Sequence, residues 1–285
     1  MAHDHKPQLQ APPGACDTHI HIYGPGNRYP VAATNVLPVP KASAEDYLAV
    51  MTRLNLSRAV VVQPSAYGSD NRCTLDGIRT LGLSRARGVA VVGDSIKDDE
   101  LASLNAAGIR GARFHMLPGG ILPWSILENV AARVHALGWH IQLQMDGRDL
   151  PKREAMLKRL PGGLVIDHTG KFLEPVGVDH PGFRSLMELV EGGRCWVKLS
   201  APYETSKVGP PHFDDVGVLA KALVKAAPER MLWASNWPHP SAQGKTPQPD
   251  DAALLDVLLD WVDAETARRK ILVDNPAEVY GFDRP

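Results

Sequence analysis

Two histidines near the start of the chain and an asparagine near its end are the residues whose spacing best indicates chemistry. His19 and His21 come at the end of a short apolar run, and Asn236 follows another apolar run at residues 231–234. Side chains two apart in a strand point the same way, so both imidazoles are expected to project together from a strand end. Imidazoles placed like this can hold a divalent ion or donate N–H groups to a developing oxyanion.

The elements that must position these residues alternate along the chain. Short apolar runs predict strands at residues 16–22, 58–63, 88–92, 109–114, 139–144, 164–167, 195–199 and 231–234. Segments with helical spacing lie between them, among them residues 44–54, 101–107, 125–137, 183–191 and 216–227. Strands that are apolar throughout are typical of a parallel sheet buried on both faces.

Eight such units predict an α/β fold, the (β/α)8 TIM barrel. A doubly wound open sheet is the alternative, but no GxGxxG sequence follows the first strand. We predict one barrel domain over residues 1–285, in which residues 1–14 form a flexible N-terminal segment.

The composition excludes several kinds of partner. A net charge of −1 without a basic stripe predicts neither a nucleic-acid nor a membrane-surface partner. No apolar run approaches the length of a membrane span, and the first residues lack the apolar region of a signal peptide. Three scattered cysteines predict reduced thiols in a cytoplasmic protein. The oligomeric state is not readable from the sequence.

The active site of such a barrel lies at the carboxyl ends of its strands. The polar residues expected there are the candidate catalytic residues His19, His21, His168 and Asn236, and the candidate substrate-binding residues Arg113, Gln144, Ser65, Tyr203, Arg72 and His239. The planar guanidinium of Arg113 suits a substrate carboxylate, although an ion pair across the barrel mouth would also account for it. His140, at a strand start, is expected to be structural.

Six short motifs in a fixed order carry a resemblance to a known family. They are DTHIHIYGP at residues 17–25, SDNR at 69–72, GARF at 111–114, IDHTGK at 166–171, SNWPHP at 235–240 and VDNPAEVYGF at 273–282. Together they resemble the amidohydrolase superfamily, in particular its amidohydrolase-2 branch and the group of 2-pyrone-4,6-dicarboxylate lactonases and galactarolactone isomerases. The resemblance covers nearly the whole chain. It implies a barrel enzyme that acts on a small lactone substrate.

The resemblance also raises the question of a metal. Many members of the superfamily bind divalent ions through the paired histidines, further histidines after the fifth and sixth strands, and a final aspartate. This chain has Gln144 at the fifth-strand position and Asn236 at the aspartate position, and the resembled lactonases work without metal. We therefore predict no cofactor and no catalytic metal. The alternative is one divalent ion such as zinc at His19, His21 and His168.

Asn236 also separates two reactions. In the resembled lactonases the final aspartate takes a proton from water, a task for which an asparagine amide has no useful basicity. Isomerisation of a sugar-acid lactone needs no water, because a hydroxyl of the same substrate attacks the carbonyl and proximity assists it. The sequence therefore predicts isomerisation by intramolecular acyl transfer on a carboxylated lactone. The alternatives are a metal-independent lactone hydrolase with a histidine base, an aspartate enzyme silenced by Asn236, and a barrel that only binds a metabolite.

Overall fold

Eight parallel strands form the centre of the molecule in the computed structural model, which describes residues 5–283. The strands are β1 (Cys16–Ile20), β2 (Arg58–Val62), β3 (Ala86–Ala90), β4 (Ile109–His115), β5 (His140–Gln144), β6 (Leu164–Ile166), β7 (Cys195–Ser200) and β8 (Met231–Ala234). They pair in chain order. The Asn236 amide donates to the His19 carbonyl at 3.0 Å, and the His21 amide donates to the Trp237 carbonyl at 2.8 Å, which joins β8 to β1. The predicted TIM barrel is confirmed.

Helices cover the outside of this barrel. They are α1 (Ala44–Leu54), α2 (Arg72–Leu81), α3 (Asp98–Ala106), α4 (Leu127–His135), α5 (Glu154–Arg159), α6 (Pro181–Glu191), α7 (Asp214–Ala226), α8 (Asp251–Trp261), α9 (Glu265–Arg269) and α10 (Asn275–Tyr280), with a π-helical turn at Lys270–Asp274 between the last two. The first helix begins with a capping box in which Ser43 and Asp46 each accept from the other's amide. None of the helices between residues 5 and 283 has the length and apolar character that crossing a membrane requires.

An irregularity in β1 turns its histidines toward the barrel axis. The pairing of β1 with β2 shifts register between Asp17 and Ile20. Cys16 packs inside the barrel, whereas Ile20 packs in the layer between sheet and helices. Strict alternation would place these two residues on the same face. Register shifts of this kind re-aim side chains, and this one brings His19 into contact with residues across the barrel.

The N-terminal segment packs against the barrel where it is described. Leu9 and Ala11 are buried, and the amides of Gln8 and Leu9 donate to the Asp256 carboxylate on α8 at 3.0 and 2.8 Å. These contacts tie residues 8–11 to α8, and the flexibility of the segment stays a prediction. Residues 1–4, which belong to the same predicted flexible segment, lie outside the described residues.

Candidate active site

Three imidazoles meet at the carboxyl end of the barrel. His19 Nε2 lies 3.2 Å from His21 Nε2, and the ring centroid of His168 is 5.0 Å from that of His19. His21 Nδ1 lies 2.8 Å from the Val62 carbonyl, which can only accept, so His21 carries its proton on Nδ1. The Nε2 atom of His21 is then an acceptor that faces His19.

A fully buried lysine inside the barrel determines which ring nitrogen of His19 carries the proton. The ammonium group of Lys198 on β7 lies 2.7 Å from Gln142 Oε1, 3.3 Å from His19 Nδ1 and 3.4 Å from Asp167 Oδ1. Gln142 Nε2 in turn donates to Asp167 Oδ2 at 3.0 Å. Three protons therefore meet three acceptors, one of which is His19 Nδ1.

This arrangement assigns the tautomer of His19. A proton on Nδ1 could point to Asp167 Oδ1 at 3.4 Å, but it would also face the Lys198 ammonium at 3.3 Å and would leave the lone pairs of the two histidine Nε2 atoms opposed at 3.2 Å. A proton on Nε2 avoids both repulsions and donates to His21. Lys198, His19, His21 and the Val62 carbonyl thus form one continuous chain of hydrogen bonds.

The surroundings keep all three imidazoles neutral. Burial lowers the pKa of His19, His21 and His168 well below the ordinary value, with the Lys198 charge adding to this at His19 and the Arg113 charge at His21. Burial also lowers the pKa of Lys198 to about 8, against the attraction of Asp167. Lys198 therefore remains the local cation at neutral pH.

His168 is oriented by a serine on the next strand. Its Nδ1 lies 2.9 Å from Ser200 Oγ, whereas Ser200 Oγ is 3.4 Å from the Lys198 carbonyl. We assign the shorter contact as the hydroxyl donating to Nδ1, which leaves the proton of His168 on Nε2. An imidazole N–H fixed in this way is suited to stabilise a developing oxyanion.

A buried arginine lies on the opposite side of the mouth. Arg113 on β4 donates to the Gln63 carbonyl at 2.6 Å and to Gln144 Oε1 at 3.0 Å. Arg113 and Ser65 also line one small pocket. Within residues 5–283 no carboxylate forms an ion pair with Arg113, so the alternative of an ion pair across the mouth is not supported. Its positive charge remains available to an anionic ligand.

Asn236 belongs to a second polar group at the ends of β7 and β8. Its Nδ2 donates to the Tyr203 hydroxyl at 2.9 Å and to Glu204 Oε1 at 3.3 Å, while its buried Oδ1 has no partner in the described structure. Glu204 forms a buried ion pair with Lys171 and accepts from the Ser241 hydroxyl. Both amide protons of Asn236 are therefore used by the protein, and its carbonyl oxygen is open.

Comparison with known proteins places this site in a family. The sequence model of the amidohydrolase family (Amidohydro_2) matches residues 16–282. The chain belongs to this family. It is 36% identical to a 2-pyrone-4,6-dicarboxylate hydrolase of Comamonas testosteroni over 98% of this chain and 94% of that protein. It is 34% identical to a D-galactarolactone isomerase of Agrobacterium fabrum over 96% and 93%.

A solved structure shows the same architecture. The crystal structure of a protein from Agrobacterium tumefaciens in its apo form superposes with a TM-score of 0.92, at 33% identity and with 98% of each chain covered. The predicted amidohydrolase membership is thus confirmed, and the chain is an enzyme of the amidohydrolase superfamily.

The donor set of the family's metal site is only partly present. His19, Asp167 and His168 could bring one ligand atom each within 4.8 Å of one another. However, His19 Nε2 and His21 Nε2 are engaged with each other, and the Lys198 ammonium lies 3.4 Å from Asp167 Oδ1, the one carboxylate of the set. A divalent ion held by this set would lie beside that ammonium and would share its one carboxylate with it. These residues do not fit a resident divalent ion.

The structure brings most of the candidate residues together in two groups. His19, His21 and His168 form one, Asn236, Tyr203 and His239 form the other, and Arg113 with Gln144 and Ser65 lies at the rim. Arg72 is not among them. Its side chain is 62% exposed at the start of α2 and forks onto Asp70.

Four buried charged or polar residues were missed: Lys198, Gln142, Asp167 and Glu204. A single lysine inside the apolar run at residues 195–199 was a usable signal, because lysine is almost never fully buried without a partner. Glu204 gave no such signal, because it lies in a loop after β7.

Proposed function

We propose that this protein interconverts two ring forms of a small, hydroxylated and carboxylated lactone by intramolecular acyl transfer, without a metal ion. Support comes from the relatives: one of them is named D-galactarolactone isomerase, and others are lactone hydrolases that act on 2-pyrone-4,6-dicarboxylate and 4-sulfomuconolactone. Lactones that carry an acidic group are therefore the substrate class.

The observation that carries the proposal is that both amide protons of Asn236 are donated to protein groups. A carboxamide that donates both protons to Tyr203 and Glu204 cannot take a proton from water. The nearest acids are engaged as well, since Asp167 neutralises Lys198 and Glu204 neutralises Lys171. A hydroxyl of the bound substrate is held beside its own carbonyl, so its attack demands less activation than attack by water.

The remaining groups match the other needs of the reaction. We assign the Nε2–H of His168 to the carbonyl oxygen, on which negative charge develops during attack. Arg113 is assigned to the substrate carboxylate, because its guanidinium is a rigid fork without a carboxylate partner.

Metal independence and a cytoplasmic location are parts of the same proposal. The first is supported by the mutual engagement of His19 and His21 and by the lysine beside Asp167. The second is supported by Cys16, Cys73 and Cys195, all of which are buried and free.

The alternative is a metal-independent lactone hydrolase, which the 36% identical Comamonas testosteroni hydrolase favours. A neutral, buried imidazole would then serve as the base for water.

Proton NMR of the purified protein with galactaro-1,5-lactone, and separately with 2-pyrone-4,6-dicarboxylate, tests both. The solutions contain a chelator, and a His168→Gln variant is the matched control. A 1,4-lactone that forms ahead of free diacid supports isomerisation. Ring-opened acid that forms faster than in the control overturns isomerisation in favour of hydrolysis. Turnover that is abolished by the chelator and restored by zinc refutes metal independence.

A further inference from the structure

A chain of buried polar groups leads from Asn236 to the outside of the barrel. The Tyr203 hydroxyl accepts from Asn236 Nδ2 at 2.9 Å and lies 3.1 Å from His239 Nδ1. His239 Nε2 lies 3.1 Å from Asp251 Oδ1 at the start of α8, and the exposed fractions of these two side chains are 7% and 8%. The other oxygen of Asp251 is 3.2 Å from the Arg53 guanidinium on α1.

The direction of the protons in this chain follows from the donors. An amide nitrogen only donates, so the Tyr203 oxygen accepts from Asn236 and its own proton is directed to His239 Nδ1. His239 then carries its proton on Nε2, facing Asp251. The N–H is not aligned with the Asp251 oxygen for a hydrogen bond, so at 3.1 Å the carboxylate acts as a counter-charge.

We propose that Tyr203, His239 and Asp251 form a proton relay that serves as the general base of the isomerisation, an inference that rests on the proposed function. A substrate hydroxyl bound beside Asn236 donates to the Tyr203 oxygen and passes its proton there, while the Tyr203 proton moves to His239 Nδ1. The alkoxide forms a bond to the lactone carbonyl carbon. Collapse of the tetrahedral intermediate breaks the bond to the former ring oxygen, which receives the proton back from Tyr203 as His239 returns the other. No proton is gained or lost overall.

Each member has a distinct part in this relay. Burial raises the pKa of Tyr203 well above its ordinary value, so the hydroxyl stays protonated and acts by passing a proton onward. His239 and Asp251 do not touch the substrate and position the relay. Asp251 stabilises the imidazolium that forms, and Arg53 holds the carboxylate in place, as the third group of a nucleophile–histidine–acid triad does.

The kinetic test compares three relay variants and two control variants with galactaro-1,5-lactone as substrate. General acid–base catalysis contributes about 100-fold to 10,000-fold, so Tyr203→Phe and His239→Gln should each lower kcat by such a factor, with KM unchanged within about threefold. The double variant Tyr203→Phe/His239→Gln should lose no more than the worse single variant, because groups that act as one unit are non-additive. Tyr280→Phe removes a buried hydroxyl at the other end of the barrel, and His212→Gln removes a surface His–Asp pair; both should keep wild-type kinetics.

Two kinetic results overturn the relay. One is a Tyr203→Phe variant that keeps the wild-type kcat and changes only KM; the other is a double variant whose loss equals the product of the single losses. The ¹⁵N spectrum of the wild-type histidine side chains gives a second test that requires neither substrate nor variants that fold. A His239 proton on Nε2 supports the relay, and a proton on Nδ1 overturns it. If the wild-type protein converts neither galactaro-1,5-lactone nor 2-pyrone-4,6-dicarboxylate, the proposed function fails, whereas a His239 proton on Nδ1 overturns the relay even when the lactone is isomerised.

Discussion

Replacing Asn236 by aspartate should not by itself create a hydrolase at neutral pH. Asn236 Nδ2 lies 3.3 Å from Glu204 Oε1, so Asn236→Asp would place a carboxylate oxygen at that distance from another carboxylate. Two unit charges so close repel by about 5 kcal/mol at an effective dielectric constant of about 20. Lys171 pairs with Glu204 and offsets part of this repulsion. The new carboxyl group should therefore remain largely protonated at pH 7 and have little basicity.

Removing the negative charge of Glu204 should allow the Asn236→Asp variant to hydrolyse the lactone. In Asn236→Asp/Glu204→Gln the repulsion is gone and Lys171 becomes available to the new carboxylate, so hydrolysis at pH 7 should be at least about tenfold faster than in the single variant, one power of ten corresponding to about 1.4 kcal/mol. The assay is the release of ring-opened diacid from galactaro-1,5-lactone, followed by proton NMR between pH 6 and 9. The single variant should gain hydrolysis only as the pH rises.

Glu204→Gln alone is the control, and it should release no diacid. The reasoning would be refuted if Asn236→Asp hydrolysed the lactone at pH 7 as fast as the double variant, because the charge of Glu204 would then have no effect at position 236. An equal and low rate in both variants at every pH would show that a carboxylate at this position does not reach water.

Three further predictions concern buried cations and an acid-sensitive histidine. Lys198→Met leaves the Asp167 carboxylate buried without its cation, so the free energy of unfolding in urea should fall by about 3–5 kcal/mol. The double variant Lys198→Met/Asp167→Asn should recover most of this loss. A Lys198→Met variant as stable as the wild type would contradict the prediction. Burial lowers the pKa of His140 to about 3, so the neutral side chain contributes stability that is present above pH 6.5 and lost as the pH falls. Between pH 7.5 and pH 5 the wild type should therefore lose about 2 kcal/mol more than His140→Leu, and equal losses would exclude His140 as the acid-sensitive group. A lysine at position 113 cannot donate two parallel hydrogen bonds to a carboxylate, so in Arg113→Lys the KM for 2-pyrone-4,6-dicarboxylate should rise about tenfold or more, with kcat less affected. A change confined to kcat would argue against substrate binding by Arg113.

The fold was predictable because its signal is local and repeated. Each apolar run must bury both faces, and a chain that alternates such runs with helical segments has few ways to do so. The predicted ends of the strands were less accurate. β1 ends at Ile20 rather than at residue 22, and β3 covers Ala86–Ala90 rather than residues 88–92. Where a strand ends depends on its hydrogen bonds to neighbouring strands, and the sequence of one strand does not show which residues its neighbours pair with.

The site was only partly predictable, for a physical reason. Strand ends in a barrel converge, so the spacing alone brought His19, His21, His168 and Asn236 to one end. The register shift in β1 could not be seen, although it allows His19 to reach Lys198 on β7 inside the barrel. Networks such as Lys198–Gln142–Asp167 join three separate strands, and nothing in one strand's sequence indicates the partner. The absence of a metal and the role of each residue remain predictions.

The pairing of charges in this site explains why asparagine suits position 236. Two buried acids of the site are already paired with cations: Asp167 with Lys198, and Glu204 with Lys171. What stays open is the Asn236 carbonyl and the positive charge of Arg113. Such a site can stabilise negative charge that moves between oxygens of one bound anion, but it offers no free carboxylate to deprotonate water. A reaction that begins and ends with the same charge on the same molecule is therefore the one that this arrangement favours over hydrolysis.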